Sequence, residues 1–268
     1  MKNFKSRYRY SAILLKQLVK SDFKLRYQGS VLGYAWSLLR PLLLFVILYV
    51  VFVKIFPLGK GIPHYPVYLL LGIVMWNFFL EMTTRSTTAI VDRGELIRKV
   101  KIPRWVIIVS SSLAAVINLI LNLVVVVAFL FINHVDLLST ILWLPLILAQ
   151  AYIFSLGLSL ILSSAYVKYR DVSYIWEVIL QAGFYMTPIL YPLSRITNVT
   201  FQKLIMVNPL AQTIQDARYS MITHKTVTAA QVYNGGWLKL VPYVLSILIL
   251  VIGLLYFKRE SRFFAENI

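Results

Sequence analysis

Residues 105–132 read WVIIVSSSLAAVINLILNLVVVVAFLFI, and this stretch decides the fold class. It holds no charged side chain, and a helix needs only about 20 apolar residues to cross the hydrocarbon core of a bilayer. The whole chain agrees, because 59% of its 268 residues are hydrophobic, 14% are charged and the mean hydropathy is +0.76. A soluble domain carries about 25% charged residues. The sequence therefore predicts an all-α membrane protein.

Five further apolar stretches predict a total of six transmembrane helices. The fifth stretch in chain order, residues 174–190, is the shortest and carries Glu177 and Gln181. Together these stretches define a single six-span transmembrane domain, residues 33–268, after an N-terminal segment, residues 1–32. In chain order, the other four stretches are residues 33–53, 65–84, 141–167 and 240–257.

The N-terminal segment, residues 1–32, has the pattern of an amphipathic helix. Leu14, Leu18 and Leu25 fall on one side of a helical projection. Lys16, Lys20 and Lys24 fall on roughly the opposite side. We expect an interface helix whose lysines meet lipid phosphates and water; a solvated basic helix packed on a partner is the alternative.

Charge distribution predicts the orientation. The chain has 27 Lys and Arg against 10 Asp and Glu, a formal charge of +17. Most of the cations lie in residues 1–32, 85–104, 168–170 and 258–262, and the loops on the other side of the membrane carry few. By the positive-inside rule both termini are cytoplasmic. Topology thus accounts for the basic charge, and no nucleic-acid partner is needed.

Catalytic and metal-binding patterns are missing from the sequence. It has no cysteine and no GxxxxGK[ST] phosphate loop, and its three histidines are far apart. Glu81 precedes Arg85 by one helical turn, which favours an ion pair over a transport role. These absences argue against an enzyme acting on lipid-linked sugars, and the lack of an internal repeat argues against a self-powered secondary transporter.

Three segments have patterns beyond those of spanning helices. Residues 24–41 place a glycine break between the interface helix and the first span, and group Arg26, Tyr27 and Arg40 at headgroup level. Residues 92–104 form a short charged loop with an apolar ridge that suits docking to a cytoplasmic partner. Residues 191–237 are long for a plain outer loop, so we expect re-entrant helices around Asn208-Pro209.

Aromatic side chains are concentrated in the first, second and fifth predicted spans. Aromatic faces stack on sugar rings, so a path lined by them would pass a glycan with little sequence selectivity. We expect about half of the candidates to face such a path and the rest to form interfacial belts. The channel-lining candidates are Trp36, Tyr49, Phe52, Tyr68, Trp76, Phe79, Trp176 and Tyr185.

Several short motifs, in order along almost the whole chain, carry a family resemblance. They are KLRYQGSVLGYAWSLLRP at 24–41, RKVKIPR at 98–104, YRDV at 169–172, MTPILYP at 186–192, Asn208-Pro209, and the tail at 257–266. As a set they resemble the ABC-2 type permeases that export polysaccharides, the membrane subunits of O-antigen, capsular polysaccharide and teichoic acid ABC transporters. The family commonly has Ser-Pro-Ile where this chain has Thr187-Pro188-Ile189, a mild departure.

The resemblance implies a homodimeric, type V exporter-like ABC-2 fold in the bacterial inner membrane. Two copies of a separate ATP-binding subunit would bind beneath it and hold the ATP and Mg²⁺, so this chain itself needs no cofactor. Spans one, two and five would line the path of a glycan attached to a polyprenyl diphosphate. Arg26, Tyr27 and Arg40 become candidates for the lipid diphosphate. The residues that would couple to the ATPase are Glu95, Leu96, Ile97, Arg98, Lys99 and Lys101.

The resemblance therefore predicts ATP-driven export of a lipid-linked polysaccharide such as O-antigen. Teichoic acid or capsular polysaccharide export is the alternative within the same chemistry. An ABC-2 exporter of drugs or small lipids, or a membrane enzyme acting on polyprenyl-linked glycans, is more remote.

Overall fold

The computed structural model describes residues 12–21, 30, 32–56, 58–59, 61–99, 102–136 and 139–267. These residues form helices and connecting turns, with no β-strand among them. The helices are α1 (residues 12–21), α2 (Trp36–Tyr49), α3 (Tyr65–Asp92), α4 (Gly94–Lys99), α5 (Arg104–Ile132), α6 (Leu144–Lys168), α7 (Val172–Met186), α8 (Val199–Val207), α9 (Pro209–Met221), α10 (Ala229–Val232), α11 (Val241–Glu260) and α12 (Phe264–Asn267).

Five helical segments of the described chain are long and apolar enough to cross a membrane. α2 reaches this length with the π-helical turns Val50–Ile55, and α6 and α11 with the 3-10 turns before them. The all-α membrane fold predicted from the sequence is thereby confirmed. The five segments are Trp36–Ile55, Tyr65–Asp92, Arg104–Ile132, Ser139–Lys168 and Trp237–Glu260.

The predicted fifth span coincides with α7, which has 15 residues. At about 1.5 Å per residue this helix is about 22 Å long, less than the roughly 30 Å of a hydrocarbon core. It ends at Met186 because Pro188 lacks an N–H group and disfavours helix in the residue before it. The count of six spans stays a prediction, and so does the orientation that depends on it.

The N-terminal segment is described only in part. Residues 12–21 are helical, with Leu14 and Leu18 half-buried and Lys16 and Lys20 exposed, as the amphipathic pattern predicts. Residues 22–29 lie outside the described residues. Whether α1 lies in the membrane interface stays a prediction.

α3 is the central helix of the fold. It packs along α5 and α6 and also contacts α2, α7 and α9. Most of its side chains are buried, including polar ones such as Thr83 and Thr87, which donate hydrogen bonds to carbonyl oxygens one turn back in the same helix. A membrane helix can bury hydroxyl groups in this way without leaving a donor unpaired.

α6 and α11 approach each other closely through two glycines. A Cβ atom added to Gly157 would lie 2.6 Å from the backbone nitrogen of Leu250, and one added to Gly253 would collide with the carbonyl of Gly157. Small residues allow helix backbones to come this close in a membrane, where van der Waals packing drives association. The two glycines therefore set the distance between α6 and α11.

The region between α7 and α11 contains the two short helices expected around Asn208-Pro209. Asn198 begins α8, and its side-chain oxygen accepts the backbone N–H of Thr200. Asn208 begins α9 in the same way, with Pro209 in the first turn. α9 is buried along most of its length against α3 and α6. Helices are thus confirmed here, while their entry into the membrane stays a prediction.

Substitution of Gly157 by leucine should separate α6 from α11. We expect a loss of about 1–3 kcal/mol of unfolding free energy, since the added side chain meets backbone rather than a movable side chain. The measurement is thermal unfolding in detergent. Leu254→Ala, on the exposed face of α11, is the control and should change the transition little; equal effects of the two would contradict the glycine contact.

Candidate functional site

A cavity of about 980 Å³ lies between α2, α3, α5 and α7. One side of it is the buried helix α3, and the facing side is made by α2 and α7, few of whose side chains are buried. Three of these four helices are the first, second and fifth predicted spans. This groove is the candidate functional site.

A polar stripe of α3 runs along the groove. Asn77, Glu81, Thr84 and Thr88 line it and follow one another at intervals of three or four residues, which places them on one face of the helix. The stripe spans about 16 Å along the helix axis. Hydroxyl, amide and carboxylate groups on this face can exchange hydrogen bonds with a polar ligand along that length.

Glu81 lies at the centre of a paired polar cluster. Its Oε1 is 3.3 Å from Nε of Arg85 and accepts a hydrogen bond of 2.7 Å from Nδ2 of Asn118 on α5. The ion pair predicted from the one-turn spacing is therefore present. An unpaired charge inside a membrane carries a large desolvation cost, and the ion pair lowers this cost for both Glu81 and Arg85. The hydrogen bond from Asn118 also joins α5 to α3.

Four of the eight aromatic candidates line the groove: Trp36, Trp76, Trp176 and Tyr185. Nε1 of Trp176 donates to Oγ1 of Thr83 at 3.1 Å. This hydrogen bond holds the Trp176 ring, on α7, against α3. Tyr185 is 68% exposed. Flat rings that are fixed on one side and open on the other are suited to stacking on a ligand ring.

The other four candidates lie elsewhere. Tyr49 and Phe52 pack, partly buried, against the main apolar core. Phe79 is buried and stacks on Phe154 at a centroid distance of 5.7 Å. Tyr68 is buried at the outer end of α3. None of these four lines the groove in the described chain, and their part in a channel stays a prediction.

Of the candidates for binding a lipid diphosphate, only Arg40 is described. Its side chain is exposed and lines the groove at the α2 side. Arg26 and Tyr27 lie outside the described residues, so the predicted grouping of the three stays a prediction. Among the residues that the structure describes, no three His, Asp or Glu side chains are grouped closely enough to hold a metal ion.

The predicted coupling loop contains a short helix, α4. Glu95 and Lys99 form an exposed ion pair of 3.1 Å across one turn, and Arg98 is exposed beside them. Ile97 of the predicted docking ridge packs instead against a buried cluster of this chain. The surface that α4 leaves open is thus charged. Lys101 lies outside the described residues.

Arg218 is a buried side chain that the sequence reasoning missed. Counted from the sequence as an outer-side cation, it is fully buried on α9. Its Nε donates to the carbonyl of Tyr68, and its terminal nitrogens donate to the carbonyls of Pro188 and Ile189. The guanidinium also lies 3.6 Å from the ring centroid of Tyr68. Because the N–H groups of the guanidinium are satisfied by carbonyl oxygens, this cation can be buried without an acidic partner.

The neighbours of Arg218 gave a sequence signal that was overlooked. α9 carries Gln212, Gln215 and Asp216 within seven residues of Arg218, yet the helix is almost wholly buried. Burial raises the pKa of the Asp216 carboxyl, which accepts hydrogen bonds from Gln212 and from the Tyr243 hydroxyl. A helix so polar between two apolar regions indicates an internal hydrogen-bond network.

The long apolar helices and the groove between them define a multi-pass membrane protein. The chain belongs to the ABC-2 type transporter family, whose model matches residues 13–222. The resemblance seen in the sequence motifs is confirmed by this match.

Curated relatives extend the similarity over most of the chain. Two proteins of Klebsiella pneumoniae, each named O-antigen export system permease protein RfbA, are 30% and 32% identical over 254 residues, 94% of this chain and 94% of each relative. A protein of Myxococcus xanthus with the same name is 29% identical over 223 residues, 81% of this chain and 83% of that protein.

Replacing Arg218 with methionine should loosen the outer end of the bundle. The carbonyls of Tyr68, Pro188 and Ile189 would lose their donors, and we expect a loss of about 2–4 kcal/mol of unfolding free energy. Limited proteolysis of the outer region and thermal unfolding measure the effect. Arg195→Met is the matched control, because Arg195 is exposed; unchanged protease resistance in Arg218→Met would contradict the role of the buried arginine.

Proposed function

We propose that this chain is the permease subunit of an ABC exporter that moves a lipid-linked polysaccharide of O-antigen type across the bacterial inner membrane. ATP would be hydrolysed with Mg²⁺ by a separate ATP-binding subunit, and this chain would supply the path. The observation that carries the proposal is the similarity to two O-antigen export permeases over 94% of the chain. The chemistry of the groove supports it.

The groove combines the two kinds of surface that a glycan needs. Rings of Trp176 and Tyr185 offer apolar faces, and the polar stripe from Asn77 to Thr88 offers hydrogen-bond partners. Sugars have apolar ring faces and polar rims, and their hydroxyls both donate and accept. Contacts spread over about 16 Å would let successive sugars exchange partners as the polymer slides, without a single tight site.

In this proposal α7 is the fifth of six crossings, and two copies of the chain form the path. The 15 residues of α7 cover about 22 Å, and the residues on either side of the helix would complete the crossing. Trp36 and Tyr185 stay 44% and 68% exposed at the rim of the groove. A second copy facing this rim would enclose the groove away from lipid, with both termini cytoplasmic.

Closure of the ATP-binding subunits would act on α4 and on the N-terminal helix. The exposed charges of Glu95, Arg98 and Lys99 are available for contact with such a partner. Arg40 at the groove entrance is placed to attract the diphosphate of the lipid carrier. Movement of the cytoplasmic ends of the helices would then widen the groove.

The direct test is purification with the ATP-binding subunit and reconstitution in liposomes. We expect a complex of two copies of each chain whose ATP hydrolysis rises on addition of a polyprenyl diphosphate-linked glycan. Teichoic acid or capsular glycans are the comparison substrates, and drugs or small lipids test the more remote exporter. Stimulation by drugs or small lipids alone would contradict the proposal.

Removing aromatic rings from the groove should slow export. We expect Trp176→Ala and Tyr185→Ala each to lower the rate of glycan export about 5- to 30-fold, because a stacking face worth about 1–2 kcal/mol is lost. The rate is measured in cells or liposomes at equal protein level. Trp143→Ala is the control, since Trp143 is exposed and does not line the groove; an equal defect there would remove the support for a glycan path.

Neutralising the coupling residues should separate ATP hydrolysis from export. In the triple variant Arg98→Gln, Lys99→Gln, Lys101→Gln we expect ATP hydrolysis to continue while export falls at least about tenfold, because rim charges orient a partner. Glycan exported per ATP is the readout. Lys225→Gln, on the predicted outer side, is the control. Wild-type export by the triple variant, with normal complex assembly, would show the coupling assignment to be wrong.

A further inference from the structure

The C-terminal end of the chain folds back on the cytoplasmic side. α11 ends at Glu260, a turn follows, and α12 runs over Phe264–Asn267. The turn is held by a hydrogen bond from the backbone N–H of Phe263 to the carbonyl of Glu260, 2.9 Å, and by another from Glu266 to Phe263, 3.1 Å. We call residues 261–267 the C-terminal hook.

Phe264 anchors the hook in the apolar cluster beneath the bundle. Its side chain is 1% exposed, and its ring meets that of Phe257 edge to face at 5.5 Å. The cluster also holds residues of α3, α5 and α6, among them Ile90, Ile107 and Val167. The buried ring therefore holds a four-residue helix that is too short to be stable by itself.

The same cluster supports α4, the helix that the proposed function assigns to coupling. Ile97 packs against this cluster, and α12 contacts both α4 and α6. A helix of six residues is not stable by itself in water and depends on tertiary packing. The hook therefore supplies part of the surface that keeps α4 helical and in place.

Polar contacts fix both flanks of this arrangement. The guanidinium of Arg104, at the start of α5, donates to the carbonyl of Ser261, where α11 ends. On the other flank Arg93, between α3 and α4, donates to Oγ of Ser110 at 3.0 Å. The first bond joins the hook to α5, and the second joins the residue before α4 to α5.

We propose that the C-terminal hook is a positioning element for α4, with Phe264 as its anchor, so that a force on α4 moves α11 and α6. The exposed residues Glu95, Arg98 and Lys99 receive the force, and Ile97 and Phe264 pass it through the cluster. Without the hook, α4 tilts locally and the force is lost. The inference rests on the proposed function, because it takes an ATP-binding partner to act on α4.

The first arm of the test needs no partner. The chain has no cysteine, so Glu95→Cys gives a single site for a spin label on α4. In the full chain in liposomes, we expect Phe264→Ala to raise the mobility of this label by at least about twofold in rotational rate, because the inner support of α4 is removed. Phe201→Ala, the matched control, removes a ring on α8 that is 59% exposed and should leave the label unchanged.

The second arm measures coupling in the reconstituted complex, without the label. We expect Phe264→Ala to bind the ATP-binding subunit and hydrolyse ATP, while glycan exported per ATP falls about tenfold. Phe264→Leu, which keeps an apolar side chain of similar size, should restore most of it. If Phe264→Ala fails to accumulate, Ile97→Ala removes the contact from the α4 side and takes its place in both arms.

The outcomes separate the two proposals. The role of the hook is overturned if Phe264→Ala leaves the label mobility unchanged. It is also overturned if Phe264→Ala exports as much glycan per ATP as a wild-type chain in which export is coupled to ATP hydrolysis. A wild-type chain that neither binds the ATP-binding subunit nor exports glycan overturns the proposed function, even when the label shows that the hook supports α4. Loss of coupling in Phe264→Ala with recovery in Phe264→Leu supports both.

Discussion

The part of the structure around α9 depends on one buried cation. Arg218 lies on α9, away from water. The carbonyl groups that it binds belong to two other parts of the chain: Tyr68 in α3, and Pro188 and Ile189 after α7. A buried guanidinium is tolerated only when its donors are satisfied. The cost of leaving it unsatisfied therefore holds α9, the outer end of α3 and the chain after α7 together as one unit. Gly72 is part of this unit, since a Cβ there would collide with the guanidinium.

The groove exists because α3 is packed unequally. α5, α6 and α9 cover one side of it, while α2 and α7 stand off from the other side and leave the cavity. Along this open side α3 carries its polar stripe, and Glu81 meets Arg85 and Asn118. A polar face on a membrane helix requires partners or a cavity. The amino-acid pattern of one helix thus accounts for both the position and the character of the candidate site.

Hydropathy and local spacing were sufficient for much of this architecture. Long apolar runs predicted the spanning helices, and a one-turn spacing predicted the Glu81–Arg85 pair. Contacts distant in sequence could not be predicted in this way. Arg218 looked like a loop cation because its carbonyl partners lie up to 150 residues away. Ile97 looked like a docking residue because the cluster that covers it includes the far end of the chain.

The close contact at Gly157 and Gly253 has a consequence for how such a bundle can change shape. Backbones that touch cannot slide past each other without a collision, so α6 and α11 behave as one rigid block, to which α3 is joined by its long contact with α6. α2 and α7 bury few of their residues. The groove consequently has one fixed wall and one yielding wall. Its diameter is set by the two helices that lose the least packing when they move.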